Sequence, residues 1–142
     1  MRELSDQDIQ KQFVNEPLFG GVLNKSSLSE LGQKAYVFNL DSVKGPGTHW
    51  VMMSNIDPNY VFYGDSFGQP APQHLTTLMK KTNKRIIINE KQIQDIDSTS
   101  CGWFCIMFIR QLIKGYKPKM IIDWFTDDTK LNEKKLENYF GK

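Results

Sequence analysis

The chain has 142 residues, of which 39% are hydrophobic and 12% aromatic, and its 18 basic and 16 acidic residues leave a formal net charge of +2. This length suits a single domain, predicted over residues 1–142, that folds without a disulfide or a metal. The composition excludes intrinsic disorder. The net charge is too small to make nucleic acid an obligatory partner.

Sequence patterns argue against several other classes of protein. No apolar stretch reaches the roughly 20 residues that a membrane span needs. The first residues lack the apolar core of a secretory signal. The two histidines and two cysteines lie too far apart along the chain for a convincing zinc site. We therefore expect a protein that is neither secreted nor membrane-bound, and we predict no cofactor and no metal.

The first predicted element is a helix over residues 5–15. Ser5 and Asp8 have the spacing of a capping box, and apolar residues recur after them at helical spacing. The helix should end before Pro17, where the chain can no longer continue it. The pair Gly20-Gly21 is then predicted to form a turn.

Three strands are predicted in the next part of the chain. A buried strand covers residues 35–40, and a tight Gly-Pro-Gly break follows at 45–47. Two further β-rich runs, 50–54 and 60–64, flank the turn-rich loop 55–59. These two runs predict an antiparallel hairpin.

The register of this hairpin brings two polar residues together. If Ser54 pairs with Tyr60, the same register places His49 opposite Asp65. Directly opposed residues in antiparallel strands have Cβ atoms about 4.5–5.5 Å apart. We therefore predict that His49 and Asp65 are cross-strand neighbours.

The second half of the chain alternates helices and one strand, with a polar loop before the most apolar segment. Residues from 101 onward are apolar nearly all round, as is typical of a central buried helix. The predicted elements are a helix over 72–81, a strand over 85–89, the polar loop 90–100, the buried helix over 101–109, a short helix opened by Pro118, and a charged terminal helix over 131–140. Together they predict an α+β fold with a small, mostly antiparallel or mixed sheet beside the buried helix.

The two cysteines, Cys101 and Cys105, lie four residues apart at the start of the buried helix. Helical residues at that spacing have Cβ atoms about 5–6 Å apart, too far for a normal disulfide, so both should be thiols in a reducing compartment. Residues 97–100 offer several N-cap candidates that would place Cys101 in the first turn. A helix N-terminus favours the thiolate, which is the nucleophilic form of cysteine. The alternative is an ordinary buried cysteine, which is our interpretation of Cys105.

Three other side chains fit a thiol-based reaction. His49 can act as a general base, and Asp65 can hold its ring in one tautomer. Gln94 can pair with the backbone N–H of Cys101 to form an oxyanion hole. Each also has a structural alternative: a hydrogen-bonded histidine at a strand end, a turn aspartate and a loop glutamine.

Three stretches taken together carry a family resemblance: GTHWV at 47–51, DSFG at 65–68, and Gln94 followed seven residues later by the CGWFC run at 101–105. They closely resemble the adenovirus-type maturation proteases, the adenains. They are more distantly similar to the proteases that process SUMO and related ubiquitin-like proteins. The resemblance covers about residues 4–108 with all elements in order, and the spacing of Gln94 and Cys101 looks like that of the adenovirus branch.

The resemblance implies a role for each of these residues. Cys101 matches the nucleophile, His49 the base and Asp65 the acidic residue that orients it. Gln94 matches the donor of the oxyanion hole. The implied fold is a papain-like cysteine protease core in which the buried helix carries the nucleophile.

Two further residues are implied in substrate binding. Trp50 matches an aromatic residue that lines a narrow groove accepting glycine before the scissile bond, although a core tryptophan is the alternative. Gly102 leaves space for a substrate carbonyl to approach the backbone.

The implied function is a cysteine endopeptidase, of a virus or virus-like mobile element, that cleaves capsid or core precursors at Gly-containing sites during particle maturation. It would be a monomer working in the virion and the interior of the host cell. One alternative is a SUMO-type deconjugating protease. Alternatives of another class are a non-catalytic nucleic-acid-binding protein and a structural virion protein.

A short basic run bears on the nucleic-acid alternative. Lys80, Lys81, Lys84 and Arg85 could make weak contact with DNA, although a solvated surface is the simpler interpretation. Adenovirus members are stimulated by DNA and by a peptide joined through a disulfide. Here both cysteines lie in the nucleophile helix, so the sequence offers no obvious site for such a peptide.

Overall fold

A computed structural model describes residues 1–40 and 49–141, so the predicted break at 45–47 lies outside the described residues. Within this part, one helix precedes a run of four strands, and three helices follow the fifth strand. Their order is α1 (Asp6–Lys11), β1 (Phe19–Asn24), β2 (Ala35–Asn39), β3 (Trp50–Ser54), β4 (Tyr60–Gly64), α2 (Gln73–Lys80), β5 (Arg85–Ile88), α3 (Cys101–Ile113), α4 (Pro118–Asp123) and α5 (Thr129–Tyr139).

The strands form one mixed sheet in the order β1-β2-β3-β4-β5. The outer pairs β1–β2 and β4–β5 are parallel, and the inner pairs β2–β3 and β3–β4 are antiparallel. The inner strands are almost entirely buried because both faces of the sheet are covered. One apolar core includes α3 and parts of α4 and α5, and a second core includes α2.

Helix α3 is the buried central helix that the sequence predicts. Ten of its 13 residues are buried, and it packs against β3. Phe104 and Phe108 are fully buried in the core. Burying a side chain of this size stabilises the fold by about 1.5–3 kcal/mol. The first residue of α3 is therefore held firmly beside the first residue of β3. No helix of the described chain is long and apolar enough to cross a membrane.

Both terminal helices differ from their predicted bounds. At the start, Ser5 and Asp8 form the predicted capping box, but α1 ends at Lys11 and a turn follows it. At the end, α5 begins two residues earlier than predicted. The Asp128 side chain caps it by accepting hydrogen bonds from the backbone N–H groups of Lys130 and Leu131.

The prediction of a turn at Gly20-Gly21 is wrong, because both glycines lie in β1. Gly21 has a φ of +122°, and the β1–β2 register shifts between Phe19 and Gly21, as in a β-bulge. Gly20 packs against the Tyr36 ring so closely that a Cβ would overlap it. The glycine pair therefore serves an irregular strand and a close approach, two needs that a turn signal does not distinguish.

Replacing Gly20 with alanine is expected to lower the free energy of unfolding by about 1–3 kcal/mol, because the added methyl must displace the Tyr36 ring. Urea unfolding followed by fluorescence measures the loss. In a Tyr36→Leu background the same change should be milder. An equal loss in both backgrounds would show that overlap with the ring is not the cause.

The predicted hairpin has the right strand bounds but the wrong register. Ser54 pairs with Phe62 and Met52 with Gly64, so the pairing is displaced by two residues. The pairing of β3 with β2 extends beyond Ser54 to Asn55, whose backbone N–H donates to the Lys34 carbonyl. This extension accounts for the displaced register of the hairpin. Because side chains alternate with a period of two, a two-residue shift keeps His49 and Asp65 on the same face of the sheet as diagonal neighbours.

Candidate active site

Cys101 is the first residue of α3. Its sulfur accepts a hydrogen bond from the backbone N–H of Trp50, with 3.4 Å between N and Sγ. The sulfur therefore lies at a helix N-terminus and faces a backbone N–H donor. The residue is 5% exposed, which leaves only a narrow approach to the thiol. Both cysteines are thiols in the structure.

Of the N-cap candidates at 97–100, Ser100 takes the N-cap position of α3, but no side chain caps the helix. Ser100 precedes α3, but its hydroxyl makes no cap hydrogen bond and donates instead to the Glu133 carboxylate of α5. The Ser100 hydroxyl therefore ties the loop before Cys101 to α5, while the Ser100 carbonyl accepts the Phe104 N–H of α3.

His49 connects the thiol to a buried carboxylate. Its Nε2–H donates to Oδ1 of Asp65 over 2.9 Å. The other ring nitrogen, Nδ1, is buried. The Cys101 side chain interacts with the imidazole through a hydrogen bond and through its charge. Because Nε2 faces Asp65, Nδ1 is the ring nitrogen left for the thiol.

The pKa of His49 is strongly raised by its two partners. Burial alone lowers the pKa, but hydrogen bonds to Asp65 and Cys101, together with their negative charges, raise it from 6.5 to about 9. The ring is therefore protonated at neutral pH in the folded protein. A protonated imidazole can give its proton to a leaving amine.

If His49 is this acid, peptide amide hydrolysis should fall as the pH rises through about 9, because the ring loses its proton there. The pH profile of kcat/KM for a peptide amide measures this limb, because that ratio reports the pKa values of the free enzyme. Hydrolysis of the matching peptide thioester should fall less, since a thiolate leaves without being protonated. An amide profile that still rises at pH 10 would contradict the assignment.

Asp65 is buried and held from several sides. Its Oδ1 also accepts the backbone N–H of Phe67 over 2.8 Å. The Asn89 side chain donates to the Asp65 carbonyl over 2.6 Å, and the Phe67 ring lies against the His49 ring with centroids 5.0 Å apart. Neither Asn89 nor Phe67 was predicted as a site residue, although Phe67 belongs to the DSFG motif at 65–68. The polar residue directly after the apolar run of β5 was the signal that could have singled out Asn89.

Gln94 is fully buried, and its amide already has partners. Its Oε1 accepts the hydroxyl of Ser66, and its Nε2 donates to the carbonyl and hydroxyl of Ser98 over 3.1 and 3.0 Å. The Gln94 backbone N–H also donates to the Ser66 carbonyl. The oxyanion role of Gln94 stays a prediction, and it requires that an oxyanion take over a hydrogen now given to Ser98.

Trp50 and Gly102 lie beside the nucleophile in a packed setting. The Trp50 ring is buried and donates its Nε1–H to the Leu4 carbonyl, yet it lines one wall of an open depression of about 470 Å³. A Cβ on Gly102 would lie 3.3 Å from atoms of Leu4 and Trp50. Packing thus accounts for the glycine, and both substrate-binding roles stay predictions.

Cys105 is set apart from Cys101 by its surroundings. It is buried among apolar residues of α3, and burial raises the pKa of its thiol well above the usual value. A thiol in this state is a poor nucleophile. The structure therefore favours Cys101 as the reactive cysteine of the pair.

The basic run is partly used within the fold. Lys84 donates to the Asn55 side chain and to the Asp57 carbonyl, and Lys81 donates to the Ser29 carbonyl. The predicted DNA contact through Lys80, Lys81, Lys84 and Arg85 stays a prediction. Among the described residues, no group of three or more His, Cys, Asp and Glu side chains could hold a metal ion.

Two solved structures have folds similar to this one. A crystal structure of the selenomethionine form of the ASFV pS273R protease matches 72% of this chain, with a TM-score of 0.54 and 18% identity. Another crystal structure of the ASFV pS273R protease also matches 72%, with a TM-score of 0.51 and 16% identity. The matched regions are 43% and 42% of those chains, so this chain corresponds to less than half of their length.

No protein-family model and no curated protein sequence matches this chain. At 16–18% identity, the likeness to the solved structures concerns the fold. It confirms the predicted fold class. A mixed sheet packed on a buried central helix gives this chain the papain-like architecture of the cysteine proteases that it resembles.

Proposed function

We propose that this chain is a cysteine endopeptidase in which Cys101 is the nucleophile, His49 the acid and base, and Asp65 the residue that orients His49. The observation that carries the proposal is the imidazole linked on one side to a buried carboxylate and on the other to a thiol at a helix N-terminus. Neither a nucleic-acid-binding protein nor a structural virion protein needs this arrangement.

The proposed reaction begins with the Cys101 thiolate attacking the substrate carbonyl to form a C–S bond. The negative charge moves onto the carbonyl oxygen, where the Cys101 backbone N–H and the Gln94 amide would bind it. His49 then protonates the leaving amine as the C–N bond breaks and a thioester forms. Water attacks the thioester while His49 accepts its proton. This step releases the acid and regenerates the thiolate–imidazolium pair.

The narrow approach to the thiol supports cleavage after small residues. Cys101 is 5% exposed and His49 has a side chain 25% exposed, so little room is left for a large side chain next to the scissile bond. We propose that the residues before that bond occupy the depression lined by Leu4 and Trp50, because the Trp50 backbone N–H contacts the Cys101 sulfur and both lining residues pack against Gly102. Glycine at the cleavage site fits this geometry.

For the substrate we propose capsid or core precursors of a virus or virus-like element, processed in the virion or inside the host cell. Two observations support it. The similar solved structures are of a protease from ASFV, and the motifs at 47–51, 65–68 and 94–105 resemble adenain. A SUMO-type deconjugating protease would use the same chemistry, and only the choice of substrate separates the two.

The chemistry is tested with a peptide vinyl sulfone ending in glycine, followed by mass spectrometry of the modified protein. We expect one adduct, located on Cys101, whose formation slows in His49→Ala. Modification of Cys105 alone, or no adduct in wild type, would contradict the proposed function. Steeply salt-dependent DNA binding without an adduct would favour the nucleic-acid-binding alternative.

The substrate is tested by co-expressing wild type or Cys101→Ala with candidate capsid precursors, and separately with a SUMO-linked protein. Product masses identify the bonds that are cleaved. Processing of the precursors by wild type alone supports the maturation role. Processing of only the SUMO-linked protein would favour the deconjugating alternative.

A further inference from the structure

The candidate acid lies in a tight turn that directly follows β4. The N–H of Gly68 donates to the Asp65 carbonyl over 2.8 Å and closes the turn at 65–68. The N–H of Phe67 donates to Oδ1 of Asp65, also over 2.8 Å. This is the oxygen that accepts Nε2–H of His49. The path of the turn therefore acts directly on the carboxylate oxygen that faces the imidazole.

Asn89 connects this turn to the neighbouring strand. It directly follows β5, is 2% exposed, and donates its backbone N–H to the Tyr63 carbonyl of β4 over 3.0 Å. Its side chain donates to the Asp65 carbonyl over 2.6 Å. Buried polar groups keep such partners because water is not available to replace them. Asn89 thus holds the peptide group of Asp65 from the adjacent strand.

The orientation of the Asn89 amide is determined at both of its ends. The Asp65 carbonyl can only accept a hydrogen bond, so the NH₂ end of the amide faces it. The amide oxygen accepts the backbone N–H of Lys91 over 3.2 Å, and that group can only donate. A rotated amide would lose both hydrogen bonds. Asn89 is therefore a fixed donor to the Asp65 carbonyl.

The direction of the Asp65 carbonyl controls how the chain enters the turn. The carbonyl belongs to a planar peptide group, so fixing it also fixes the rotation between Asp65 and the residues that follow. That rotation brings the Phe67 N–H to Oδ1 and the Phe67 ring to the His49 ring, with centroids 5.0 Å apart. The Ser66 carbonyl accepts two N–H groups of the loop after β5 and holds the turn one peptide further along. Asn89 holds the peptide group of Asp65 itself.

We propose that Asn89 is a positioning residue that keeps the Asp65 carboxylate directed at His49 by fixing the carbonyl of Asp65. The proposal rests on the proposed function, in which Asp65 orients His49. The hydrogen bonds from Gly68 and Phe67 lie within the turn and move with it, so they do not fix its direction. Without the Asn89 donor, the peptide group after Asp65 is free to rotate, and Oδ1 loses its close approach to Nε2.

The proposal is tested by an NMR titration of the His49 ring in wild type and in Asn89→Ala. The chain has two histidines, and the His74 signals are identified by their disappearance in His74→Gln. In wild type, contacts with Asp65 and Cys101 raise the pKa of His49 to about 9. We expect Asn89→Ala to lower this pKa by about one unit, because a weaker contact with Asp65 stabilises the imidazolium less.

Peptide hydrolysis should change in the same variant. The alkaline fall of kcat/KM should move to lower pH by the same amount, since this limb reports the proton on His49 in the free enzyme. At neutral pH, kcat should fall about 10-fold, which is part of the loss expected when the carboxylate itself is removed. A residue with a purely structural role would lower the stability without moving this limb.

Asn132→Ala is the matched control for a general loss of stability. Asn132 is also a buried asparagine that donates to a loop carbonyl, that of Ile93 over 3.1 Å, and it makes further hydrogen bonds with Thr126. Its loss should lower the free energy of unfolding at least as much as Asn89→Ala. The pKa of His49 should nevertheless stay within about 0.3 of its wild-type value, because Asn132 does not contact the turn at 65–68.

Asn89→Ser isolates the donor to Asp65 from the acceptor for Lys91. A serine hydroxyl can accept the Lys91 N–H in the same kind of turn, but the side chain is too short to reach the Asp65 carbonyl. This variant should lower the pKa of His49 as Asn89→Ala does, and it carries the titration if the alanine variant does not fold. A wild-type pKa of His49 in either folded variant, or an equal fall in Asn132→Ala, would overturn the proposal.

The titration needs no substrate, which keeps this test separate from that of the proposed function. If the pKa of His49 falls in the Asn89 variants while the wild type hydrolyses no peptide, the positioning role holds and the proposed function fails. If the wild type is an active protease and the pKa does not move, the proposed function stands and the positioning role is overturned.

Discussion

Replacing Cys101 by serine is expected to lower peptide hydrolysis by roughly 10⁴- to 10⁶-fold, since nucleophile removal in hydrolases of this kind has effects of that size. A serine hydroxyl is a much weaker acid and nucleophile than a thiol, so it cannot replace the thiolate on which the proposed reaction depends. The change is nearly isosteric, and serine oxygen can still accept the Trp50 N–H that now reaches Sγ over 3.4 Å. We therefore expect the fold to survive.

The measurement is kcat/KM for a peptide amide, with the thermal unfolding temperature recorded for each variant. Cys105→Ala provides the matched control because it removes the other thiol of the same helix, one turn deeper in the core. It should keep its activity while losing some stability through the cavity left behind. Full activity in Cys101→Ser, or inactivity in a folded Cys105→Ala, would contradict the assignment of the nucleophile.

The helix and strands that carry the candidate site could be predicted from local sequence patterns. The run from Cys101 onward is apolar on every side, which predicts a buried helix, and α3 is confirmed with Cys101 as its first residue. Strands β3 and β4 also have the predicted bounds. The predicted register was wrong by two residues, but His49 and Asp65 are neighbours as predicted. A shift of two residues preserves the face of the sheet on which each side chain lies.

The features that sequence reasoning missed depend on contacts between distant residues. The glycine pair of β1 predicts a turn because no neighbouring residue in the sequence indicates that the Tyr36 ring packs against Gly20. Asn55 displaced the hairpin register through a backbone hydrogen bond to Lys34, which lies directly before β2 and 21 residues earlier in the chain. The contact of Glu133 could not be predicted from the charge pattern of the terminal helix, because its partner Ser100 lies 33 residues earlier.

The candidate site therefore contains two groups of residues, and only one of them could be recognised in the sequence. The residues that would perform the chemistry lie at element ends, where a short motif is visible in the sequence. Those that hold them, such as Asn89 on the Asp65 carbonyl and Asn132 on the Ile93 carbonyl, donate side-chain hydrogen bonds to backbone groups. Such contacts carry no motif, because any polar side chain placed there by the fold can make them.

Replacing Asp65 by asparagine is expected to lower kcat by roughly 10²- to 10⁴-fold, because loss of the carboxylate in an acid–histidine–nucleophile set leaves the imidazole in the wrong tautomer. Here the carboxylate accepts Nε2–H of His49 over 2.9 Å and helps to raise the pKa of the ring to about 9. An asparagine amide that donates to Nε2 would favour the Nδ1–H form and remove the negative charge that stabilises the imidazolium.

The same substitution should change the pH profile in a defined direction. A raised pKa means that the ring keeps its proton up to about pH 9 in wild type, so weaker stabilisation must move the alkaline fall of kcat/KM to lower pH. The profile is measured for the peptide amide between pH 6 and pH 10 (on the order of one point per half unit) to bracket the raised pKa. Asp123→Asn, which removes an exposed carboxylate paired with Lys119, controls for charge. A lower kcat with an unmoved alkaline limb would show that Asp65 supports the fold of the site without controlling the protonation of His49.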